Sequence, residues 1–145
     1  MSMSLSNDNT LSLARTFAYP MDVIFWKYID QNALCRWWWP CGNTNIFHEF
    51  HPIEWGKWTF TMQSDGVDYP NEMIFKKIEN NHLILEHILP HFFLDISLDA
   101  ISDNQTRMTW DMTWDSPEIL ARIREFLMEK NAENFDKLEE ELKNF

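Results

Sequence analysis

The stretch MTWDMTWDSPEILARIREFL, residues 108–127, decides the fold of this chain. Its first half alternates large apolar residues with Thr and Asp, which is the period-two pattern of a strand with one buried and one solvated face. The segment DSPE at 115–118 then predicts a helix start, with Ser116 as the N-cap and Pro117 as the first helical residue. A half-buried strand therefore leads directly into a helix.

The predicted C-terminal helix is long and amphipathic. Its apolar residues keep a three-four spacing almost to the end of the chain, at Ile119, Ile123, Phe126, Leu127, Phe135, Leu138 and Leu142. The register weakens over residues 129–134, where a kink or a break is an open alternative.

Upstream of this strand, the period of two begins near Asn45 and is clearest where Trp58, Phe60 and Met62 alternate with polar residues. Further strands are predicted at 72–79, 82–89 and 92–101, separated by turn residues that recur about every ten positions. This spacing favours an antiparallel meander over alternating strands and helices.

The N-terminal part predicts a flexible tail at 1–10, a strand at 11–17, a helix at 21–29 and a second short helix at 32–38. The expected fold is α+β of the helix-grip kind. A curved antiparallel sheet of about six to seven strands wraps around the C-terminal helix, and two short helices follow the first strand. We expect one domain, residues 11–145.

Composition excludes several classes of protein. Apolar residues make up 45% of the 145 residues and aromatic residues 15%, which excludes a disordered chain. The net charge of −11 disfavours binding to nucleic acid or to an anionic membrane surface. The sequence shows neither a signal peptide nor a membrane-spanning run, so we expect a cytoplasmic protein and no membrane insertion. Cys35 and Cys41 could close a small disulfide loop, but buried thiols are favoured.

Candidate chemistry is sparse. His48 and His51 point to opposite faces of a regular strand, and Pro90 interrupts the strand between His87 and His91, so no metal site is expected. Three glycines leave no phosphate-binding loop, and no nucleophile with a base is evident, so we predict no catalytic residue and no cofactor. His87 could orient a ligand or act as an acid or base, although a hydrogen-bonded core histidine is favoured.

The aromatic face of the strands allows two interpretations. Its residues could line a cavity or pack as a solid core beneath the long helix, and the pattern alone favours the core. The run Trp37 to Trp39 is similarly either a lid or the packed end of a helix, since three consecutive residues cannot all face one side.

An ordered set of short motifs covers nearly the whole chain. It comprises Arg15, Phe17, Pro20 and Val23, then Trp38-Trp39-Pro40 with Gly42, then Gly56, Trp58, Phe60, Met62 and Asp65-Gly66, then Tyr69-Pro70-Asn71, Thr106-Arg107 and residues 134–138. In order and spacing the set resembles the START-like (SRPBCC, Bet v 1-like) superfamily, and within it the activator of heat-shock protein 90 ATPase homologue type. Two departures stand out: Trp55 replaces the first glycine of a usual pair, and a Gly-Trp of the last helix is missing near Glu133.

The resemblance implies a cavity between the sheet and the C-terminal helix that holds a small hydrophobic or aromatic molecule, including lipids, without catalysis. The expected ligand-binding residues are Trp38, Trp39, Trp58, Phe60, Met62, His87, Trp110, Met112, Trp114 and Phe126. Two alternatives stay open. The chain could be a protein-interaction module of the chaperone-activator type with a role in stress response, or a cyclase- or hydrolase-like enzyme of the same superfamily.

Overall fold

A computed structural model of the chain describes residues 9–38 and 44–143. Within these residues the elements are β1 (Thr10–Phe17), α1 (Met21–Ile29), α2 (Gln31–Trp37), β2 (Thr44–Phe50), β3 (Lys57–Ser64), β4 (Val67–Glu79), β5 (His82–His87), β6 (Phe92–Ser102), β7 (Gln105–Trp114) and α3 (Pro117–Leu142). The order of the elements agrees with the sequence prediction. β4 begins earlier than the predicted residue 72, because Asp65 and Gly66 form a tight turn that pairs Ser64 directly with Val67.

The seven strands form one curved antiparallel sheet with the order β1-β7-β6-β5-β4-β3-β2. Strands β2 to β7 are neighbours in the order of the chain, which is the predicted meander. The N-terminal strand β1 joins the other edge by pairing with β7, with Leu13 opposite Trp110. The helix-grip fold is thereby confirmed, with α3 packed on the concave side of the sheet.

The period-two pattern of the last strand is confirmed residue by residue. Met108, Trp110, Met112 and Trp114 are all buried, whereas the intervening side chains are partly exposed. The adjacent strand β6 behaves in the same way, because its buried residues stand opposite those of β7 in the register, with Leu94 opposite Met112. Both strands therefore present one apolar face to α3.

Helix α3 starts as predicted and runs without a break. The hydroxyl of Ser116 accepts a hydrogen bond from the backbone N–H of Ile119 at 3.3 Å, and Pro117 is the first helical residue. The break that residues 129–134 made conceivable does not occur. The apolar pattern weakens there because Asn131 and Asn134 take buried positions on the stripe.

The C-terminal end of α3 is tied to the two short helices by an ion-pair cluster. The carboxylate of Glu141 lies 3.0 Å from Lys27 Nζ of α1 and 2.6 Å from Arg36 Nη2 of α2. Lys27 and Glu141 are both buried. The cluster holds α2 against α3. It thereby also positions Trp38, the C-cap residue of α2.

Trp55, which stands in place of a usual glycine, lies in the turn before β3. Trp55 has a φ of 68°, in the left-handed region that favours glycine. Its neighbour Gly56 cannot carry a side chain, because a Cβ there would lie 2.0 Å from the backbone oxygen of His51. The indole of Trp55 is exposed and stacks beneath Lys76, whose Nζ lies 4.1 Å from the ring centroid.

The sequence also led to expectations about the two cysteines and about membrane-spanning segments. Cys35 is only half-buried, where burial was expected, and Cys41 lies outside the described residues. In the part of the chain that the structure describes, no helix is long and apolar enough to cross a membrane.

Candidate ligand-binding cavity

A cavity of about 770 Å³ separates the sheet from residues 123–134 of α3. Its sheet wall is apolar and consists of Met62, Phe92, Leu94, Trp110, Met112 and Trp114. Its helix wall consists of Ile123, Phe126, Leu127, Lys130, Asn131 and Asn134. Trp38, Asp65, residues 69–71, His87 and residues 89–90 complete the lining. The interior is thus not the solid core that the pattern alone favoured.

Cross-strand pairing assembles the sheet wall. Phe92 stands opposite Trp114 in the register of β6 and β7, and their ring centroids are 4.7 Å apart. The indole N–H of Trp110 donates a hydrogen bond to the hydroxyl of Tyr28 at 2.9 Å, which orients the ring. Burial raises the pKa of Tyr28 above its usual range, so the hydroxyl stays protonated and also reaches Met108 Sδ at 2.9 Å.

The helix wall includes two buried polar side chains. Asn131 and Asn134 are buried side chains on the face of α3 that looks onto the cavity. Asn131 donates a hydrogen bond from Nδ2 to the sulfur of Met112 at 3.1 Å. In the described part of the chain, Oδ1 of Asn134 and the indole nitrogen of Trp114 are buried without a hydrogen-bond partner.

His87 closes one end of the cavity. Of the adjacent pair Glu86 and His87, the histidine faces inward, and it stacks on Phe92 with a centroid distance of 4.8 Å. Its Nδ1 lies 2.7 Å from the carbonyl oxygen of Pro90, and its Nε2 lies 2.8 Å from Oδ1 of Asn71. Burial lowers the pKa of His87, which favours the neutral ring. The neutral ring has one N–H, so it donates to only one of these two oxygens. The imidazole is therefore a hydrogen-bonded part of the wall, as favoured from the sequence.

Large apolar side chains surround the mouth of the cavity. Leu89 is 81% exposed and Phe126 is 60% exposed, and the half-exposed Tyr69 also lines the opening. The ammonium group of Lys130 lies 5.7 Å from the ring centroid of Phe126 and 3.6 Å from the carboxylate of Glu133. The entrance therefore combines apolar surface with one cationic group that already has an acidic neighbour.

The structure brings seven of the ten residues expected to bind a ligand onto this wall: Trp38, Met62, His87, Trp110, Met112, Trp114 and Phe126. Trp39 lies outside the described residues.

Trp58 and Phe60 were also expected to line the cavity, and for these two residues the expectation is wrong. Both lie on the buried face of β3, but Phe47 of β2 packs over them, with ring centroids 5.5 Å from Trp58 and 5.9 Å from Phe60. Trp38 also contacts Trp58, at 5.1 Å. Trp58 and Phe60 therefore belong to the aromatic core and not to the cavity wall.

Several lining residues were missed by sequence reasoning. Phe92 and Leu94 share the period-two parity of the buried face, and this signal could have found them. Asn131 and Asn134 continue the three-four stripe from Leu127, so helix geometry also placed them on the inner face. Polar residues at such positions are unusual, and in the sequence they weaken the apolar register of the helix.

Metal binding finds no support in the described residues. Within 9–38 and 44–143, no group of three or more His, Cys, Asp or Glu side chains is arranged to hold a metal ion.

A seven-stranded antiparallel sheet that encloses a cavity against a long C-terminal helix defines this chain as a START-like domain. The model of one family within that class, Activator of Hsp90 ATPase homolog 1-like protein, matches residues 18–143. The chain therefore belongs to this family.

Solved structures show the same fold at low sequence identity. Protein NE0264 from Nitrosomonas europaea is 20% identical with a TM-score of 0.84, over 94% of this chain and 95% of that chain. A protein from Arthrobacter aurescens is 22% identical with a TM-score of 0.86, over 96% of this chain and 88% of that chain. The AHSA1-like protein from Aeromonas hydrophila is 10% identical with a TM-score of 0.75, over 92% of both chains. A search of curated proteins gives no match.

Proposed function

We propose that this protein binds a small hydrophobic or aromatic molecule in the cavity between the sheet and α3, without converting it chemically. The observation that carries the proposal is a cavity of about 770 Å³ at a place where period-two strands and a three-four helix would otherwise pack together. This volume lies in the range of small-molecule sites.

The chemistry of the walls supports an apolar or aromatic ligand. Indole rings from Trp110 and Trp114 offer flat surfaces, and Met62 and Met112 add flexible, polarizable side chains that adapt to a ligand's shape. The few polar groups can fix the orientation of a ligand, as in most small-molecule sites.

A pair of variants on one helix tests this proposal. Ile123 lines the cavity, whereas Ile119, one turn earlier, is 41% exposed and does not. We expect the wild type to enhance the fluorescence of the neutral dye N-phenyl-1-naphthylamine. Ile123→Trp should fill the space and weaken dye binding by about fivefold or more, and Ile119→Trp should leave it unchanged. Equal binding by all three proteins, or none by the wild type, would contradict the proposal.

A protein-interaction role is the second candidate, because the mouth of the cavity exposes the large apolar side chains of Leu89 and Phe126. The family description, which names an activator of a chaperone ATPase, agrees with such a role, and the net charge of −11 suits a basic partner surface. The test compares the ATPase rate of an Hsp90-type chaperone with wild type and with Leu89→Asp. Stimulation that Leu89→Asp abolishes would support this role, and an unchanged rate with wild type would exclude chaperone activation.

The enzyme alternative has no specific observation in its favour. The titratable side chains on the described wall are Asp65, Tyr69, His87 and Lys130, and both ring nitrogens of His87 already have hydrogen-bond partners.

A further inference from the structure

The helix wall of the cavity carries two asparagines where the pattern of α3 calls for apolar residues. Asn131 and Asn134 are 8% and 3% exposed, and they lie between the lining residue Leu127 and the buried Leu138 on one face of the helix. Asparagine is a weaker helix former than leucine, and its amide loses hydration when buried. Leucine at either place would therefore favour the folded state.

These amides, and the indole of Trp114 on the sheet wall, are poorly provided with hydrogen bonds. Asn131 donates to a thioether, which is a weak acceptor, and Asn134 Oδ1 and Trp114 Nε1 have no partner in the described part of the chain. Leaving a buried polar atom without a partner is unfavourable. The wall therefore offers one acceptor and one donor that a bound molecule can satisfy once the side chains adjust to it.

Charge on the cavity wall points to a neutral molecule. The cation on the wall, Lys130, lies at the mouth beside Phe126 and is 3.6 Å from the carboxylate of Glu133. An anion held at Asn131 and Asn134 would thus be buried without a counter-charge of its own, which is unfavourable.

We propose that the ligand is a neutral, largely aromatic molecule that carries a hydrogen-bond donor on its side facing α3, for Asn134 Oδ1, and an acceptor on its side facing the sheet, for Trp114 Nε1. Asn134 and Trp114 are then the residues that select it. This inference rests on the proposed function, and it separates such a molecule from a plain hydrocarbon and from an anionic amphiphile such as a fatty acid.

Isothermal titration calorimetry with three matched probes tests the inference. Naphthalene has no polar group, 2-naphthamide adds a neutral donor and acceptor, and 2-naphthoate adds an anionic acceptor. We expect the wild type to bind 2-naphthamide more tightly than 2-naphthoate. Asn134→Leu should reduce the preference for 2-naphthamide over naphthalene by about fivefold or more. The matched control Asn104→Leu, in an exposed turn that does not line the cavity, should leave that preference unchanged. Should Asn134→Leu not fold, Trp114→Phe is the second variant: it removes the indole donor and should also reduce the preference for 2-naphthamide over naphthalene by about fivefold or more.

The outcomes separate this inference from the proposed function. If naphthalene binds but Asn134→Leu changes the preference by less than about twofold, water rather than the ligand satisfies the amide, and only the inference fails. Tighter binding of 2-naphthoate than of 2-naphthamide overturns the inference in the same way. If the wild type binds none of the three probes, the proposed function fails together with it.

Discussion

Asn131 of α3 reaches across to Met112 of β7 and donates its amide N–H to the thioether sulfur at 3.1 Å. The helix and the sheet therefore meet through a weak polar contact at the middle of the cavity wall, where apolar packing is the norm. On either side of this contact the helix returns to apolar residues, with Leu127 on the cavity wall and Phe135 in the core.

Asn131→Leu is expected to stabilise the fold by about 1 kcal/mol. Leucine is the better helix former, and it replaces a buried amide whose partner is a weak acceptor. Urea unfolding should show a higher midpoint with an unchanged slope. Asn104→Leu, at an exposed turn, is the control and should change stability by less than about 0.5 kcal/mol. A loss of stability in Asn131→Leu would mean that the amide makes hydrogen bonds stronger than the one to Met112.

The helix pattern illustrates what the sequence could and could not predict. The N-cap at Ser116 and the buried face of β7 follow from local patterns, and both were predicted. The sequence did not predict that α3 continues through residues 129–134. Two asparagines interrupt the apolar stripe there, and the sequence offers no sign of the cavity that faces them. Backbone hydrogen bonds and the packing of Phe135 and Leu138 carry the helix past this interruption.

The cavity boundary shows a second limit. Period two placed Trp58 and Met62 on the same face of β3, which is correct, but their surroundings differ. Trp58 packs against Trp38, which follows α2, and against Phe47 on the paired strand β2, whereas Met62 remains on the cavity wall. A strand pattern reports which way a side chain points. It does not report what packs against it.

The left-handed backbone at Trp55 predicts an unusual order of stability among variants. Trp55→Ala and Trp55→Gly both lose the contact with Lys76, but only glycine adopts a φ of 68° without strain. Trp55→Gly should therefore be more stable than Trp55→Ala by about 1 kcal/mol, as measured by urea unfolding. At most positions glycine is the less stable of the two, so equal stability would show that the left-handed conformation is not retained.

His91 predicts a pH-dependent contribution to stability. Hydrogen bonds to Asp115 at 2.7 Å and to Glu86 at 2.8 Å raise the pKa of His91. A raised pKa in the folded state stabilises the fold below the usual histidine value of about 6.5, and this contribution is lost as the pH rises through the raised pKa. The free energy of unfolding should thus differ between wild type and His91→Gln by at most about 1 kcal/mol, most at the acidic end of a series from pH 5 to 8.

The buried His87 acts in the opposite direction, because its lowered pKa removes stability as the pH falls. It is present in both proteins, so the comparison of wild type with His91→Gln removes most of its effect. A difference that stays constant across the whole pH series would show that His91 contributes packing and not charge.

Glu141 is expected to be the most sensitive ionised side chain of α3. Its carboxylate accepts hydrogen bonds from Arg36 and from the buried Lys27, and these partners, Arg36 first, lower the pKa of Glu141. Glu141→Gln should destabilise the fold by about 3–5 kcal/mol, because the buried Lys27 would lose the charge of this carboxylate. Glu140→Gln changes the same residue type one position away, where the side chain is exposed, and should cost less than about 1 kcal/mol.

The lowered pKa of Glu141 also predicts a pH dependence. A lowered pKa stabilises the fold above the usual carboxylate range, and this stabilisation is lost as the pH falls through the lowered pKa. Wild type should therefore lose more stability than Glu141→Gln on acidification below about pH 4.5. Urea unfolding at pH 7 and at pH 4 measures both effects, and equal losses for Glu141→Gln and Glu140→Gln would show that the cluster does not hold α2 against α3.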